Sequence, residues 1–126
     1  MEVKKLKINH RDARGSIKDI FARVVIDAAV FITSRKGAVR GNHVHKKTHQ
    51  YDYVLTGSLL VMSQKGERGK KTKTILKAGE LMHHPPGERH AYKALEYSEF
   101  LSFTRGPRRG TEYESDTYRL KTPLLA

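Results

Sequence analysis

Residues 37–57 read G-A-V-R-G-N-H-V-H-K-K-T-H-Q-Y-D-Y-V-L-T-G, from Gly37 to Gly57. His43 and His45 stand one residue apart in what reads as an extended segment. Alternate residues of a strand share a face, so both imidazoles project into the same space. Gln50 then opens a run rich in β-formers, which stops at Gly57. Residues 79–90, G-E-L-M-H-H-P-P-G-E-R-H, form a second cluster that ends in His90 behind the turn Pro85-Pro86-Gly87. Two strands and a turn that converge three histidines make either a metal site or a proton-transfer site.

Outward from this stretch, the pattern is one of short strands. Segments 2–8, 16–21, 24–33 and 39–45 read as strands, with turn chemistry at His10-Arg11-Asp12-Ala13-Arg14-Gly15. Segments 50–55 and 58–63 form a hairpin at Thr56-Gly57, and 72–76, 81–84, 90–94 and 98–104 complete the set. The run Lys65-Gly66-Glu67-Arg68-Gly69-Lys70-Lys71 is a basic, exposed hairpin tip. About eight to ten strands with no long helix predict a single all-β domain over 1–126, a sandwich or barrel. The tail from Arg105 is expected to lie over the barrel or over a partner subunit.

Composition sets the outer bounds. The absence of cysteine in 126 residues excludes disulfides, thiolate ligands and a cysteine nucleophile, and fits a reducing compartment. No apolar run approaches a membrane span, and Met1-Glu2-Val3-Lys4 lacks a signal-peptide core, so a cytoplasmic protein with no membrane partner is expected. A charged fraction of 30% without cysteine fits a thermophilic source. Lysine and arginine outnumber aspartate and glutamate by 25 to 13, a net charge of +12. The excess is spread over Lys4 to Lys7, Lys65 to Lys73 and Arg105 to Arg109. Phosphorylated substrates and a solvated exterior account for it, while a nucleic-acid partner is not expected without a DNA-reading motif.

Here the residues resemble the cupins, whose first motif is Gly, five residues, His-x-His, three or four residues, Glu, six residues, Gly. Gly37, His43, His45 and Gly57 stand at those places, with Gln50 where the family has glutamate. The second motif is matched by Gly79, Pro85, Gly87 and His90, with Ala94 in place of asparagine. The resemblance implies a jelly-roll barrel, the double-stranded β-helix. Asp12-x-Arg14-Gly15, Arg40-Gly41-Asn42-His43-Val44-His45-Lys46 and Asp116-Thr117-Tyr118 are similar to the cupins that act on nucleotide-activated sugars. Those are the dTDP-sugar 3,4-ketoisomerases, the dTDP-4-dehydrorhamnose 3,5-epimerases and the cupin domain of a bifunctional capsular-polysaccharide enzyme.

That resemblance implies an isomerase or epimerase of a 4-keto-6-deoxy sugar. One proton next to the ketone is removed, an enediolate is stabilised and a proton is returned elsewhere. Histidine suits both halves of that cycle near neutral pH, so His43 and His45 are the candidate catalytic pair. Arg40 offers a bidentate fork to a diphosphate, and Lys46 stands beside the pair. Tyr92 is the candidate donor to the enediolate. Asp52 shares a strand face with Gln50 and either orients a histidine or lies at the rim. The ketoisomerases resembled use no metal, and this reading requires no cofactor. The alternative is a small metal-binding cupin, a dioxygenase-like enzyme or a sugar-binding module, with His43, His45, Gln50 and His90 around Zn, Fe, Mn or Ni. His49 is expected outside, and at most one of His83 and His84 inside. Tyr51, Tyr53 and Leu55 on an outer face predict a homodimer.

Overall fold

Along Ser58–Lys65 Leu59, Val61 and Ser63 are buried in alternation, the signature of a strand with one face on a core. The same alternation recurs through the chain. The computed structural model describes residues 1–107 and 116–126, and among them there is no helix. The strands are β1 Glu2–Lys5, β2 His10–Asp12, β3 Gly15–Ile17, β4 Ala28–Ser34, β5 Val39–Val44 and β6 His49–Thr56. They continue as β7 Ser58–Lys65, β8 Lys71–Lys77, β9 Glu80–His84, β10 Glu88–Ala94, β11 Ser98–Arg105 and β12 Tyr118–Arg119. Two five-stranded antiparallel sheets, β1-β9-β6-β11-β4 and β12-β5-β10-β7-β8, face each other, with β2-β3 a separate hairpin. This is the jelly roll expected. Val54, Leu59, Val61, Leu76, Met82, Tyr92, Ala94 and Phe100 fill the space between the sheets.

Four local expectations are corrected. The first strand stops at Lys5 because its partner begins at Glu80, so no ladder remains for residues 6–8. The expected turn at 10–15 is itself a hairpin: His10 pairs with Ile17 and Asp12 with Gly15. The Asp12 carboxylate accepts from the Arg14 backbone and guanidinium across its tip. Consequently the expected strand over 16–21 ends early, at Ile17. The strand expected from Val24 begins at Ala28, opposite Thr104, where the ladder of β11 becomes available. The run Arg105 to Arg109 and its neighbours fall partly at 108–115, outside the described residues.

Two features of β5 aim the site. A bulge between His90 and Ala91 shifts the pairing of β10 with β5. On β5 it is matched by left-handed backbone at Gly41 (φ +85°) and Asn42 (φ +56°). A Cβ on Gly41 would stand 3.0 Å from the His90 carbonyl oxygen and 3.2 Å from Ala91 Cα, so only glycine lets the strands approach here. Asn42, which tolerates this conformation, fastens the tail: its Oδ1 accepts from the Leu124 and Leu125 amides at 2.7 and 3.1 Å. Its Nδ2 donates to the Leu125 carbonyl at 2.9 Å. The described tail therefore lies over its own barrel.

Candidate active site

Between the sheets a cavity of about 610 Å³ is lined by Arg40, Asn42, His43, His45, Gln50, Tyr92, Thr117 and Arg119, with Val30, Ile32 and Phe100 as its apolar wall. β5 brings His43 and His45, β6 brings Gln50 and Asp52, and β10 brings His90 and Tyr92. The expected convergence is present. The His43 ring lies 4.8 Å from that of His45 and 4.7 Å from that of His90. One nitrogen from each of the three histidines falls within 4.8 Å of the others.

Gln50 is the hub of the hydrogen bonding. Its amide Nε2 donates to both Asp52 oxygens, at 3.2 and 3.1 Å, and to the Tyr92 hydroxyl at 2.9 Å. Tyr92 in turn donates to Asp52 Oδ2. An ionised carboxylate accepts and does not donate, which orients the amide with Oε1 toward His45 Nε2, at 2.8 Å. On the other side His45 Nδ1 meets the Asp116 backbone carbonyl at 2.8 Å. A neutral imidazole has one donor, yet His45 faces an acceptor on each side. A proton or a metal ion between His45 Nε2 and Gln50 Oε1 would satisfy that contact.

His43 is different. Its Nε2 is buried without a hydrogen-bond partner among the described residues. Burial, then His45, Arg119 and His84 nearby, lower its pKa to about 4. At neutral pH it is a neutral imidazole. His90 is fully buried with its Nε2 unpartnered, and burial and the surrounding histidines hold its pKa well below the usual value. Its Nδ1 donates to the Glu88 carbonyl at 3.1 Å, so the Nε2 lone pair turns inward. Burial and the Asp52 carboxylate raise the Tyr92 pKa well above that of a free phenol.

Of the residues named from sequence, Arg40 lines the cavity, with Nε donated to Ser34 Oγ at 2.8 Å and Nη2 to the Thr33 carbonyl at 2.9 Å. These bonds hold the guanidinium flat at the mouth. Asp52 is inward and fully buried, beneath Gln50 and Tyr92. Lys46 turns away: its Nζ lies 4.0 Å from the centre of the Tyr118 ring, and it does not line the cavity. His49 is outside, hydrogen-bonded to His83 at 3.0 Å.

Three further residues shape the site. His84 is the inward member of its pair, fully buried and stacked on His90 at 4.3 Å. Its Nδ1 pairs with Glu88 Oε1 at 2.7 Å. Arg119, on the tail, stands opposite His43 in the β12–β5 ladder and lines the cavity. Asp116 accepts from the backbone of Lys47 and Thr48 at 2.8 and 2.9 Å and from the Thr48 hydroxyl at 2.8 Å. That grip places its carbonyl against His45. His84 is settled by its pairing opposite Gln50; Asp116 was marked by the Asp116-Thr117-Tyr118 motif without its role, and for Arg119 there was no signal.

Comparison with known proteins agrees with this fold. A search of curated proteins finds no match. The chain superposes on a 3,4-ketoisomerase from Helicobacter canadensis with a TM-score of 0.77 at 17% identity, covering 94% of this chain and 89% of that one. For QdtA, a sugar 3,4-ketoisomerase from Thermoanaerobacterium thermosaccharolyticum in complex with TDP, the TM-score is 0.76 at 20% identity, covering 95% and 88%. For a dTDP-4-dehydrorhamnose 3,5-epimerase from Sulfolobus tokodaii it is 0.69 at 22% identity, covering 85% and 78%. At such identities the likeness is one of fold. The family model described as "Cupin domain" matches residues 30–103, more than half of the sequence and both histidine clusters, and the chain belongs to the cupin family.

Proposed function

We propose that the protein is an isomerase or epimerase of a nucleotide-activated 4-keto-6-deoxy sugar. The observation that carries this reading is a pair of imidazoles, His43 and His45, lining one cavity with opposite hydrogen-bonding states. His43, neutral and with an unengaged Nε2, takes the proton next to the ketone. His45, held between the Asp116 carbonyl and Gln50 Oε1, returns one to the enediolate. Asp52, buried and hydrogen-bonded to the Gln50 amide, acts from beneath the cavity and not on substrate. Tyr92 lines the same cavity, but its one hydroxyl proton is donated to Asp52, so it holds the Gln50–Asp52 pair in place instead of meeting the oxyanion. Arg40 and Arg119 at the mouth meet the diphosphate. The neighbours of similar fold, one solved with TDP, support this class of substrate.

The same acceptors support a second reading. His43, His45 and His90, with Gln50 Oε1 beside them, fit the donor set of Zn, Fe, Mn or Ni, and His45 and His90 already hold the tautomer that such a ligand needs. A bound divalent ion would polarise a substrate oxygen.

The test is incubation with a nucleoside-diphosphate 4-keto-6-deoxy sugar in deuterated water, beside metal analysis of protein purified without added metal. Deuterium uptake next to the ketone by metal-free protein is the expected result. Salt-sensitive binding without uptake supports a sugar-binding module instead. Firmly held iron with no nucleotide-sugar binding supports the oxidative reading.

A homodimer is part of the proposal, on a revised surface. Tyr51 and Tyr53 are outward but already covered by their own chain, Tyr51 by the Phe21 ring at 5.1 Å and Tyr53 by Lys18. Phe31, on the edge strand of the same face, is 57% exposed beside Leu101. Phe31→Asp is expected to shift sedimentation at micromolar concentration from dimer to monomer. A wild-type monomer at that concentration would remove the proposal.

A further inference from the structure

The basic tip at 65–71 has no part in the reaction, yet it is one end of a larger surface. β8 is the free edge of its sheet. Leu76 and Leu59 are buried, so the opposite phase of each strand points to solvent. On β8 that phase is Lys71, Lys73, Ile75 and Lys77, all exposed. Across the ladder Lys73 faces Met62 and Ile75 faces Leu60. One strand further, Arg89 stands beside Gln64 and Lys93 beside Leu60. The outer face thus carries two rows of cations, on β8 and β10, flanking an aliphatic stripe of Leu60, Met62 and Ile75. Lys65, Arg68 and Lys70 extend it at the tip. The carboxylates at its borders are Glu67, which meets Arg89 at 3.5 Å, Glu80, which accepts from the Lys77 amide at 2.8 Å, and Glu96, which accepts from the Ser58 hydroxyl at 2.9 Å; Glu88 on β10 is buried inward.

We infer that this face of β7, β8 and β10 docks on an anionic lipid surface. The chemistry of the face selects that occupant. It is mostly lysine, a compact hydrated charge that suits a fluid layer of headgroups better than fixed bidentate recognition. It is a broad sheet surface, with an aliphatic stripe that can settle among headgroups. It presents no aromatic side chain on β7, β8 or β10 for a nucleic-acid base to stack upon. No membrane span is needed for such contact, so the absence of an apolar run in the sequence does not bear on it. The proposed dimer uses the other sheet and leaves this face open.

The test is cosedimentation of the full chain with phosphatidylcholine vesicles, with or without about one quarter phosphatidylglycerol, at low salt and at about 0.5 M salt. Binding is expected only to anionic vesicles at low salt. Lys71→Glu, Lys73→Glu and Lys77→Glu together should weaken it at least about tenfold. The corresponding three changes to glutamine serve should the charge reversal impair folding, and should weaken it less. Lys4→Glu, Lys5→Glu and Lys7→Glu, an equal change in net charge elsewhere, should largely spare binding. Failure to bind anionic vesicles at low salt, or equal losses in both sets, overturns the proposal. So does displacement from vesicles by a single-stranded oligonucleotide at lower concentration than by free phosphatidylglycerol headgroup, which would assign the face to nucleic acid. Deuterium uptake into the sugar is independent of all these outcomes.

Discussion

In the His43→Ala protein, deuterium uptake next to the ketone should slow at least about a hundredfold, the usual worth of a positioned base. His45→Ala should differ in kind. It leaves the base in place and removes the returning acid, so exchange should persist while turnover to product falls by a similar factor. The split follows from the two environments. His43 Nε2 has no partner and burial keeps the ring neutral, whereas His45 is gripped by acceptors on both sides. A base whose pKa is lowered to about 4 is weak in the empty site. Arg119 is one cause of that lowering, and an anionic diphosphate lying against Arg119 offsets it, so the base strengthens as substrate arrives. The measurement is proton exchange by NMR beside product formation for both variants. Equal loss of exchange in both would show that the two rings share one role, and a fully active His43→Ala would remove the mechanism.

How much of this was readable from the chain depends on the range of the interactions. His43, His45, Gln50 and His90 are placed by strand phase and by the turns at Gly37, Gly57 and Gly87, which are local signals. Asp52 followed Gln50 by the same parity, and the Tyr92 hydroxyl and the Gln50 amide, with His84 Nε2 at 3.9 Å, make its burial tolerable. His84 was ambiguous because adjacent histidines occupy opposite phases, and the pairing of Gln50 with His84 decides between them. Arg119 was beyond reach, and Asp116 was marked by its motif without its role. They arrive at the site through a ladder and a loop bond spanning about seventy positions, for which periodicity carries no information. Lys46 failed for the opposite reason: its position beside the pair was right, but Tyr118 captures its side chain.

Acid should unfold the protein well before its surface carboxylates matter. His43 is held at about 4 and His90 well below its usual value, chiefly by burial, whereas both titrate near 6.5 in an unfolded chain. Between those limits the unfolded state binds protons that the fold refuses. Stability is therefore intact above about pH 6.5 and falls as the pH drops toward 4. The His43 shift alone is worth about 3 kcal/mol at the bottom of that window, and two such groups set a slope approaching about 2.7 kcal/mol per pH unit. Glu88 and Asp116 add to the loss lower down. Burial raises both carboxyls, but the hydrogen bonds they accept, from His84 and the amino terminus for Glu88 and from Lys47 to Thr48 for Asp116, outweigh it and depress their pKa values. Their contribution is lost as pH falls through those depressed values. At the other end, the raised pKa of Tyr92 means that stability declines once an unfolded tyrosine ionises, above about pH 10. Denaturant melts at pH 7, 5.5 and 4.5 should show the midpoint falling steeply across the series. In His43→Gln, which keeps a polar side chain but cannot titrate, the slope should be roughly halved. A midpoint unchanged between pH 7 and 5 would mean that the buried imidazoles accept protons within the fold, and the neutral His43 on which the base assignment rests would be lost with it.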